Sequence, residues 1–283
     1  MKKIALVVHP TRAAAIKFAN NLAAEFLKKD VEVVSNHPDL LVGSRAIDVI
    51  SDISAVIVLG GDGTILRAAE IVKGHEVPII GINLGNVGFL AEISEPSIAE
   101  IVKAVDSGSI HREPRLTLRY EIFRNGSVMS QGWALNEVAV ERSSTRMLEL
   151  FVQIDGRPLS KWGCDGVICA TPTGSTAYAF SAGGPVVWPE VSALVLLPLA
   201  AHALFSRPMV VSPECEIVID VLSNDAQISA DGLRQEEIQL GDRIVITKEN
   251  AKIQLAYVNA GNFTDRLVAK FKLPIEGWRG ESS

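Results

Sequence analysis

The sequence predicts a Rossmann-like, doubly wound α/β N-terminal domain followed by a β-rich, β-sandwich-like C-terminal domain. Three observations carry this reading. Short apolar runs alternate with helical stretches through residues 4–82. A glycine-rich loop joins one of those runs directly to a helix start. From about Arg115 the hydrophobic period shortens to that of strands separated by turn residues.

In chain order, residues 4–8 read as a buried parallel strand, and 13–28 is an alanine-rich stretch with apolar residues at helical spacing. A second strand follows at 31–34. The run 55–59 breaks into Gly60-Gly61-Asp62-Gly63-Thr64, after which 65–73 is helical. The pattern repeats at 77–82, ending in Asn83-Leu84-Gly85-Asn86-Val87-Gly88. In the second part, strands are expected at 116–123, 133–140, 148–154, 166–170, 217–221, 243–247 and 252–258, with one helix near 176–181. Residues 263–272 are helical in pattern and expected to pack back on the first domain. The expected boundaries are therefore 1–112 for the α/β domain, 113–260 for the β-rich domain and 261–283 for the C-terminal segment, loose from Gly280.

A chain of 283 residues has room for two ordinary cores. With 48% hydrophobic and 21% charged residues, no part has to be read as disordered. A net charge of −6 gives no general attraction for phosphate backbones or anionic lipid, so neither nucleic acid nor membrane is an expected partner. Anionic ligands must be held by local devices such as helix starts, glycine loops and placed arginines. Cys164, Cys169 and Cys215 are odd in number and form no CxxC pair, which reads as reduced core thiols. The apolar run after Lys2-Lys3 ends at His9-Pro10, too soon for a signal sequence or a membrane span, so a cytoplasmic protein is expected.

The loop after residues 55–59 suits phosphate. At Gly61 and Gly63 no side chain stands between backbone N–H groups and an approaching phosphoryl oxygen, and the helix start adds partial positive charge. Thr64 is a candidate helix cap. Asp62 is the anomaly, because a carboxylate in an anion-binding loop repels phosphate unless it meets a metal ion or a hydroxyl proton. The bland alternative is a tight turn with Asp62 as N-cap. Arg67, on the following helix, either neutralises transferring phosphate or is an ordinary exposed arginine.

A second strand-to-helix turn runs Asp165-Gly166-Val167-Ile168-Cys169-Ala170-Thr171-Pro172-Thr173-Gly174-Ser175-Thr176-Ala177-Tyr178. Thr173, Ser175 and Thr176 offer hydroxyls suited to a ribose or phosphate, and Tyr178 a ring that can stack on a base; capping and core packing are the ordinary alternatives. Asn136-Glu137 lies in an apolar run, where an uncompensated carboxylate is expensive to bury and so needs a partner. Asp231-Gly232 reads first as a hairpin turn and second as a ligand carboxylate.

Together these segments resemble the NAD kinase family. The motifs are Gly60-Gly61-Asp62-Gly63-Thr64, Asn83-Leu84-Gly85 with Gly88-Phe89-Leu90, Asn136-Glu137, Thr171 through Tyr178 on to Ser181-Ala182-Gly183-Gly184-Pro185, and His202-Ala203-Leu204 with Arg207-Pro208. The glycine-aspartate signature is shared with diacylglycerol-type lipid kinases and, more remotely, phosphofructokinases; the threonine-rich motif points to NAD kinase. The resemblance implies an NAD site in the cleft between the two domains and a homodimer or homotetramer.

It further implies that Asp62 takes the proton from the adenosine 2′-hydroxyl of NAD as that oxygen attacks the γ-phosphoryl group of ATP or of inorganic polyphosphate. Gly61, Gly63, Thr64 and Arg67 then belong to the donor side. Asn136 and Glu137 contact polar groups of NAD, and Phe89 and Tyr178 line the base or ribose pocket. Asp165, Thr173, Ser175, Thr176, Ala177 and Ser181 complete that pocket, and Asp231 joins the candidate ligand residues on its second reading, as a ligand carboxylate. Magnesium, held mainly by the donor phosphates, stabilises the transferring charge. Two positions depart from the family pattern: Gly163 stands where a basic residue is frequent, and Leu233 where Gln often follows Asp-Gly. The alternatives are a lipid kinase sharing the loop, which the acidic charge disfavours, and a noncatalytic nucleotide sensor on the same fold.

Overall fold

The computed structural model describes residues 2–85, 88–93, 95–259 and 261–274. Asn86, Val87 and the tail expected to be loose from Gly280 lie outside the described residues. The chain divides into two units, one taking in Met1–Pro114 and the chain from Ile253 onward, the other Arg115–Lys252.

The first unit is built on strands β1 (Lys3–Val8), β2 (Glu32–Ser35), β3 (Arg45–Ala46), β4 (Ile53–Leu59), β5 (Ile79–Ile82) and β6 (His111–Arg115), with helices α1 (Ala13–Leu27), α2 (Asp62–Val72) and α3 (Ile98–Ser107). The sheet order is β3-β2-β1-β4-β5, followed by the late strand Ile253–Tyr257 and then β6. Pairing from β3 through to that late strand is parallel. Side chains alternate across the sheet. Ile4, Leu6, Val8, Ile57, Leu59, Ile80 and Ile82 form one core with Ala19, Leu22 and Phe26 of α1 and Ile101, Val102 and Val105 of α3. The opposite face is equally buried, at Ala5, Val7, Val56 and Val58. There a Cβ on Gly81 would come within 2.5 Å of Ile65 on α2, which places α2 on that side. A parallel sheet covered on both faces explains why its strands read as unbroken apolar runs.

Helix α3 went unread in the sequence, although its signature is present: the Ser97 hydroxyl accepts from the Glu100 N–H, the Glu100 carboxylate accepts from the Ser97 N–H, and Gly108 ends the helix in the left-handed region.

The second unit holds the remaining antiparallel strands: β7 (Leu118–Arg124), β8 (Ser127–Ala134), β9 (Glu137–Arg142), β10 (Leu148–Ile154), β11 (Arg157–Cys164), β12 (Gly166–Ala170), β13 (Leu194–Leu199), β14 (Met209–Val211), β15 (Ile217–Val221), β16 (Ala226–Ala230), β17 (Arg234–Ile238) and β18 (Arg243–Lys248). They form two six-stranded sheets, β11-β10-β15-β18-β7-β8 and β14-β13-β12-β9-β16-β17. Leu118, Tyr120, Leu150, Val152, Trp162, Ile219 and Ile244 of the first sheet meet Val138, Val140, Val167, Cys169, Leu194, Leu196 and Ile228 of the second in one core, a β-sandwich. The second sheet is buried on its other face too. There Ala139, Ile168, Ala170, Val195 and Leu197 pack under Ala179 and Val187. The helix expected near 176–181 is a 3₁₀ turn (Gly174–Thr176) followed by one short helix, α4 (Tyr178–Ser181).

Two expectations are corrected. The strand expected at 252–258 in the β-rich part is β19 (Ile253–Tyr257), and it joins the parallel sheet, with Leu255 and Ala256 opposite Ile79 and Ile80. An apolar run reveals a buried strand but not which sheet it joins. The run 133–140 is two strands, because Leu135 and Asn136 turn the chain between β8 and β9. After β19, helix α5 (Phe263–Phe271) belongs to the first unit. Cys164 and Cys169 are buried thiols, pushed up to about 11 and about 12 by desolvation, whereas Cys215 is only half-buried and not a core residue. No described helix is long and apolar enough to cross a membrane.

Candidate active site

In the first unit, β4 delivers Gly60 and Gly61 to the start of α2. The N-cap is Gly61, with no side-chain cap bond, so Thr64 does not cap the helix as expected. Its side chain is buried beneath Gly60, where a Cβ would stand 2.4 Å from Thr64 Oγ1. Gly61 and Gly63 face open space, with nothing within 4 Å of a Cβ at either position. The Thr64 N–H already donates to the Gly61 carbonyl at 2.8 Å, but the N–H groups of Asp62 and Gly63 precede any acceptor in the helix, so this open start is a place where an anion can sit. Arg67 is exposed on α2.

Asp62 is not an N-cap either. It occupies the first position of α2 and turns its carboxylate to another segment, where Oδ2 accepts from the Phe89 N–H at 3.0 Å and Oδ1 from the Leu90 N–H at 3.2 Å. Two backbone donors fix the plane of the carboxylate and leave lone pairs to accept a further proton donor. Gly88 makes this approach possible. The ring of Phe89 is buried, 6.1 Å from that of Phe263 and 5.5 Å from that of Phe271 on α5, so it offers no open stacking face.

Sequence reasoning missed Glu92, which is buried next along this segment. Its carboxylate accepts from the backbone N–H groups of Val258 and Asn259, immediately after β19. Desolvation pushes Glu92 up, opposed by those donors and by Arg266. Arg266 is itself buried, with its guanidinium 3.9 Å from the centroid of the Tyr257 ring and 3.7 Å from Glu113.

In the second unit, the β8–β9 corner is held by Asp231. The carboxylate accepts from three consecutive N–H groups, those of Leu135 (2.9 Å), Asn136 (2.6 Å) and Glu137 (3.3 Å). Arg234 closes the arrangement, donating to Asp231 Oδ2 at 2.9 Å and to the Trp133 carbonyl at 2.7 Å, with its guanidinium 4.9 Å from the Trp133 ring centroid. Asp231 and Gly232 both have positive φ and turn the β16–β17 hairpin. The two readings of Asp231 thus converge on a third: it is a hairpin residue whose carboxylate faces protein backbone. Burial raises it to about 6 although all three N–H donors pull it down.

The second glycine segment is tied to the same corner. Thr171 Oγ1 donates to the Leu135 carbonyl at 2.6 Å and accepts from the Gly174 N–H at 3.1 Å. The Thr171 N–H donates to the Asn136 carbonyl at 2.8 Å. Gly174 passes so close that a Cβ would stand 2.1 Å from that carbonyl oxygen. Ser175, expected as a free hydroxyl, is fully buried and satisfied, donating to the Pro172 carbonyl at 2.7 Å and accepting from the Val187 N–H at 2.9 Å. Thr176 donates to the Thr173 carbonyl at 3.3 Å. Thr173 is buried, Thr176 and Ala177 are half-buried, and Ser181 is exposed.

Four acidic or phenolic side chains gather here. Glu137 is buried, and its Oε2 has no hydrogen-bond partner among the described residues. Desolvation first, then the Asp231 and Glu141 charges, push it up to about 8, against the Tyr178 N–H, which pulls it down. The Tyr178 hydroxyl donates to Glu141 Oε1 at 2.5 Å, and the ring is partly exposed rather than a core ring. Asp165 pairs with Arg142 at 3.1 Å. A buried carboxyl held protonated can donate a hydrogen bond, which an ordinary glutamate cannot.

No group of three or more His, Cys, Asp or Glu side chains that could hold a metal is found among the described residues. A magnesium ion that keeps waters and is held chiefly by substrate phosphates needs no such cage, and the open helix start beside Asp62 suits that mode.

Residues 4–110 match the family described as ATP-NAD kinase N-terminal domain, and residues 135–258 match ATP-NAD kinase C-terminal domain. An NAD kinase of Thermobifida fusca is 41% identical, over 100% of this chain and 93% of that one. The chain belongs to the ATP-NAD kinase family.

Among solved structures, the crystal structure of an NAD kinase from Archaeoglobus fulgidus in complex with ATP is 31% identical with a TM-score of 0.73, covering 95% of this chain and 98% of that one. Yeast NADH kinase complexed with NADH shares the fold, at a TM-score of 0.89 and 23% identity, over 100% of this chain and 90% of that one. Against the family's pattern, Gly163 lies beside Met147, whose Cε would stand 2.8 Å from a Cβ there. Leu233 is partly exposed, and the polar contact to the β8–β9 corner comes from Arg234, one residue later.

Proposed function

We propose that this protein is an NAD kinase, transferring the γ-phosphoryl group of ATP, or a terminal phosphoryl of inorganic polyphosphate, to the adenosine ribose 2′-hydroxyl of NAD. The observation that carries the proposal is the Asp62 carboxylate, fixed by two backbone donors at an open helix start in a chain of the ATP-NAD kinase family.

Donor phosphates lie against the backbone of Gly61 and Gly63, with Arg67 within reach on the same helix. Asp62 accepts the proton of the 2′-hydroxyl, the ribose oxygen forms a bond to the γ-phosphorus, and the bond from that phosphorus to the bridging oxygen breaks as ADP leaves. When bound, magnesium supplies charge neutralisation at the donor oxygens. Asn136 and Glu137 meet polar groups of NAD; Glu137, protonated near neutral pH, donates. Tyr178 supplies a partly exposed ring, and Thr173, Thr176, Ala177, Ser181 and Asp165 complete the acceptor side. Ser175 and Asp231 shape that side from behind, through backbone contacts. The enzyme works in the cytoplasm as a homodimer or homotetramer.

The test is NADP formation by the purified protein with NAD, magnesium and ATP, each omitted in turn, polyphosphate replacing ATP in one arm and diacylglycerol as competing acceptor in another. NADP that depends on every component is the expected result. Phosphorylated lipid, or no NADP from folded protein that binds NAD, overturns it.

A further inference from the structure

We infer that Phe89 is a positioning residue for Asp62, and that helix α5 holds it in place through Phe263 and Phe271. The inference rests on Asp62 being the proton acceptor. Both Asp62 oxygens are bonded to the main chain of one short segment, at Phe89 and Leu90. Wherever that segment moves, the carboxylate loses its frame. The Glu92 N–H ties the segment to the Gly81 carbonyl of β5 at 2.8 Å, and two further anchors lead to the C-terminal part of the chain. The Phe89 ring is buried against the two phenylalanines at either end of α5. The Glu92 carboxylate binds the N–H groups of Val258 and Asn259, where the chain leaves β19 toward α5. Helix α5 is fixed in turn by Arg266, buried over Tyr257 and close to Glu113.

Near Asp62 there is no slack. At Gly88 even one added carbon would overlap the carboxylate, so the segment and the Asp62 side chain are in close contact there. A carboxylate that must receive a proton within hydrogen-bond reach is sensitive to such displacement, and an error of order 1 Å costs up to ~10²-fold in rate. Helix α5 therefore acts on the reaction through Phe89: it sets where the proton acceptor stands.

The experiment compares Phe271→Ala, Phe271→Leu and Asp62→Asn with the parent protein. It measures kcat per folded molecule, the dissociation constant for NAD and hydrogen exchange of the amides of Phe89 and Leu90. Phe271→Ala is expected to lower kcat by about tenfold or more, to leave NAD binding within twofold, and to speed exchange at both amides. Phe271→Leu, which refills most of the space, restores the parent values. Unchanged kcat in Phe271→Ala, or a loss confined to NAD affinity, overturns the inference. If Asp62→Asn loses turnover while Phe271→Ala keeps it, the positioning role alone fails. If Asp62→Asn keeps turnover, the assignment of the proton acceptor fails first.

Discussion

A Cβ on Gly88 would lie 2.2 Å from Oδ1 of Asp62. Relieving that overlap means moving the carboxylate, which is bonded to the next two backbone N–H groups. Gly88→Ala is therefore expected to be less stable than the parent and to lose up to ~10²-fold in kcat per folded molecule, the scale of an angstrom-sized misplacement. Steady-state kinetics on the folded variant checks it, and parent-like turnover would show that the carboxylate need not stand where it does.

Gly174 offers the matching case in the second unit. Its missing Cβ would meet the Asn136 carbonyl oxygen at 2.1 Å, the acceptor that also receives the Thr171 N–H. Gly174→Ala should push the β8–β9 corner away from the Thr171–Ser175 turn and raise KM for NAD more than KM for ATP. Isothermal titration with each nucleotide separates the two effects.

Asp231 joins three N–H groups and one guanidinium. Asp231→Ala removes the acceptor of the three buried N–H groups, at ~1–3 kcal/mol for each that finds no new partner, and leaves the Arg234 guanidinium on the Trp133 carbonyl and ring. A loss on the order of 3 kcal/mol is expected by denaturant melting. Removing Arg234 as well, as Met, should cost less than the sum of the two single changes, since both single changes break the same Asp231–Arg234 pair.

Glu137 makes stability depend on pH. Its folded value of about 8 lies above the ordinary 4.5, so between those values the unfolded chain has lost the proton that the folded chain keeps. Its contribution is complete below about pH 4.5, falls as pH rises through this window and is gone above about 8. Asp231, raised to about 6 from 3.8, acts with the same sign at lower pH. The melting temperature should therefore fall between pH 5 and 8.5, and fall less in Glu137→Gln, which keeps the volume without the charge. Parallel slopes for the two proteins would contradict the assignment.

Much of the fold was legible because its strands are short, apolar and bounded by turn residues, and because the glycine loop sits where a strand must hand over to a helix. The placement of β19 was not legible: five apolar-rich residues announce a buried strand, but only the three-dimensional register with β5 says which sheet it completes. Helix α3 could have been found from Ser97 and Glu100, three residues apart.

In the site, the residue types of Asp62, Asn136 and Glu137 announced chemistry, because a carboxylate or amide in an apolar or glycine-rich run is costly without a purpose. Their partners lay beyond local pattern. Phe89 is 27 residues from Asp62, and Asp231 is 94 residues from Glu137. Ser175 was read as a ligand hydroxyl because a capping-type serine and a buried, satisfied one look alike in sequence.

The most direct test of the central claim is the rate of NADP formation by Asp62→Asn beside the parent protein, with NAD binding measured on both. The substitution keeps the size of the side chain and removes its capacity to take a proton. NAD binding within a few-fold of the parent and a turnover lower by ~10²–10⁴ is the expected result, the range that a positioned general base contributes. Turnover equal to the parent's would contradict the account, since the proton of the 2′-hydroxyl would then have another acceptor.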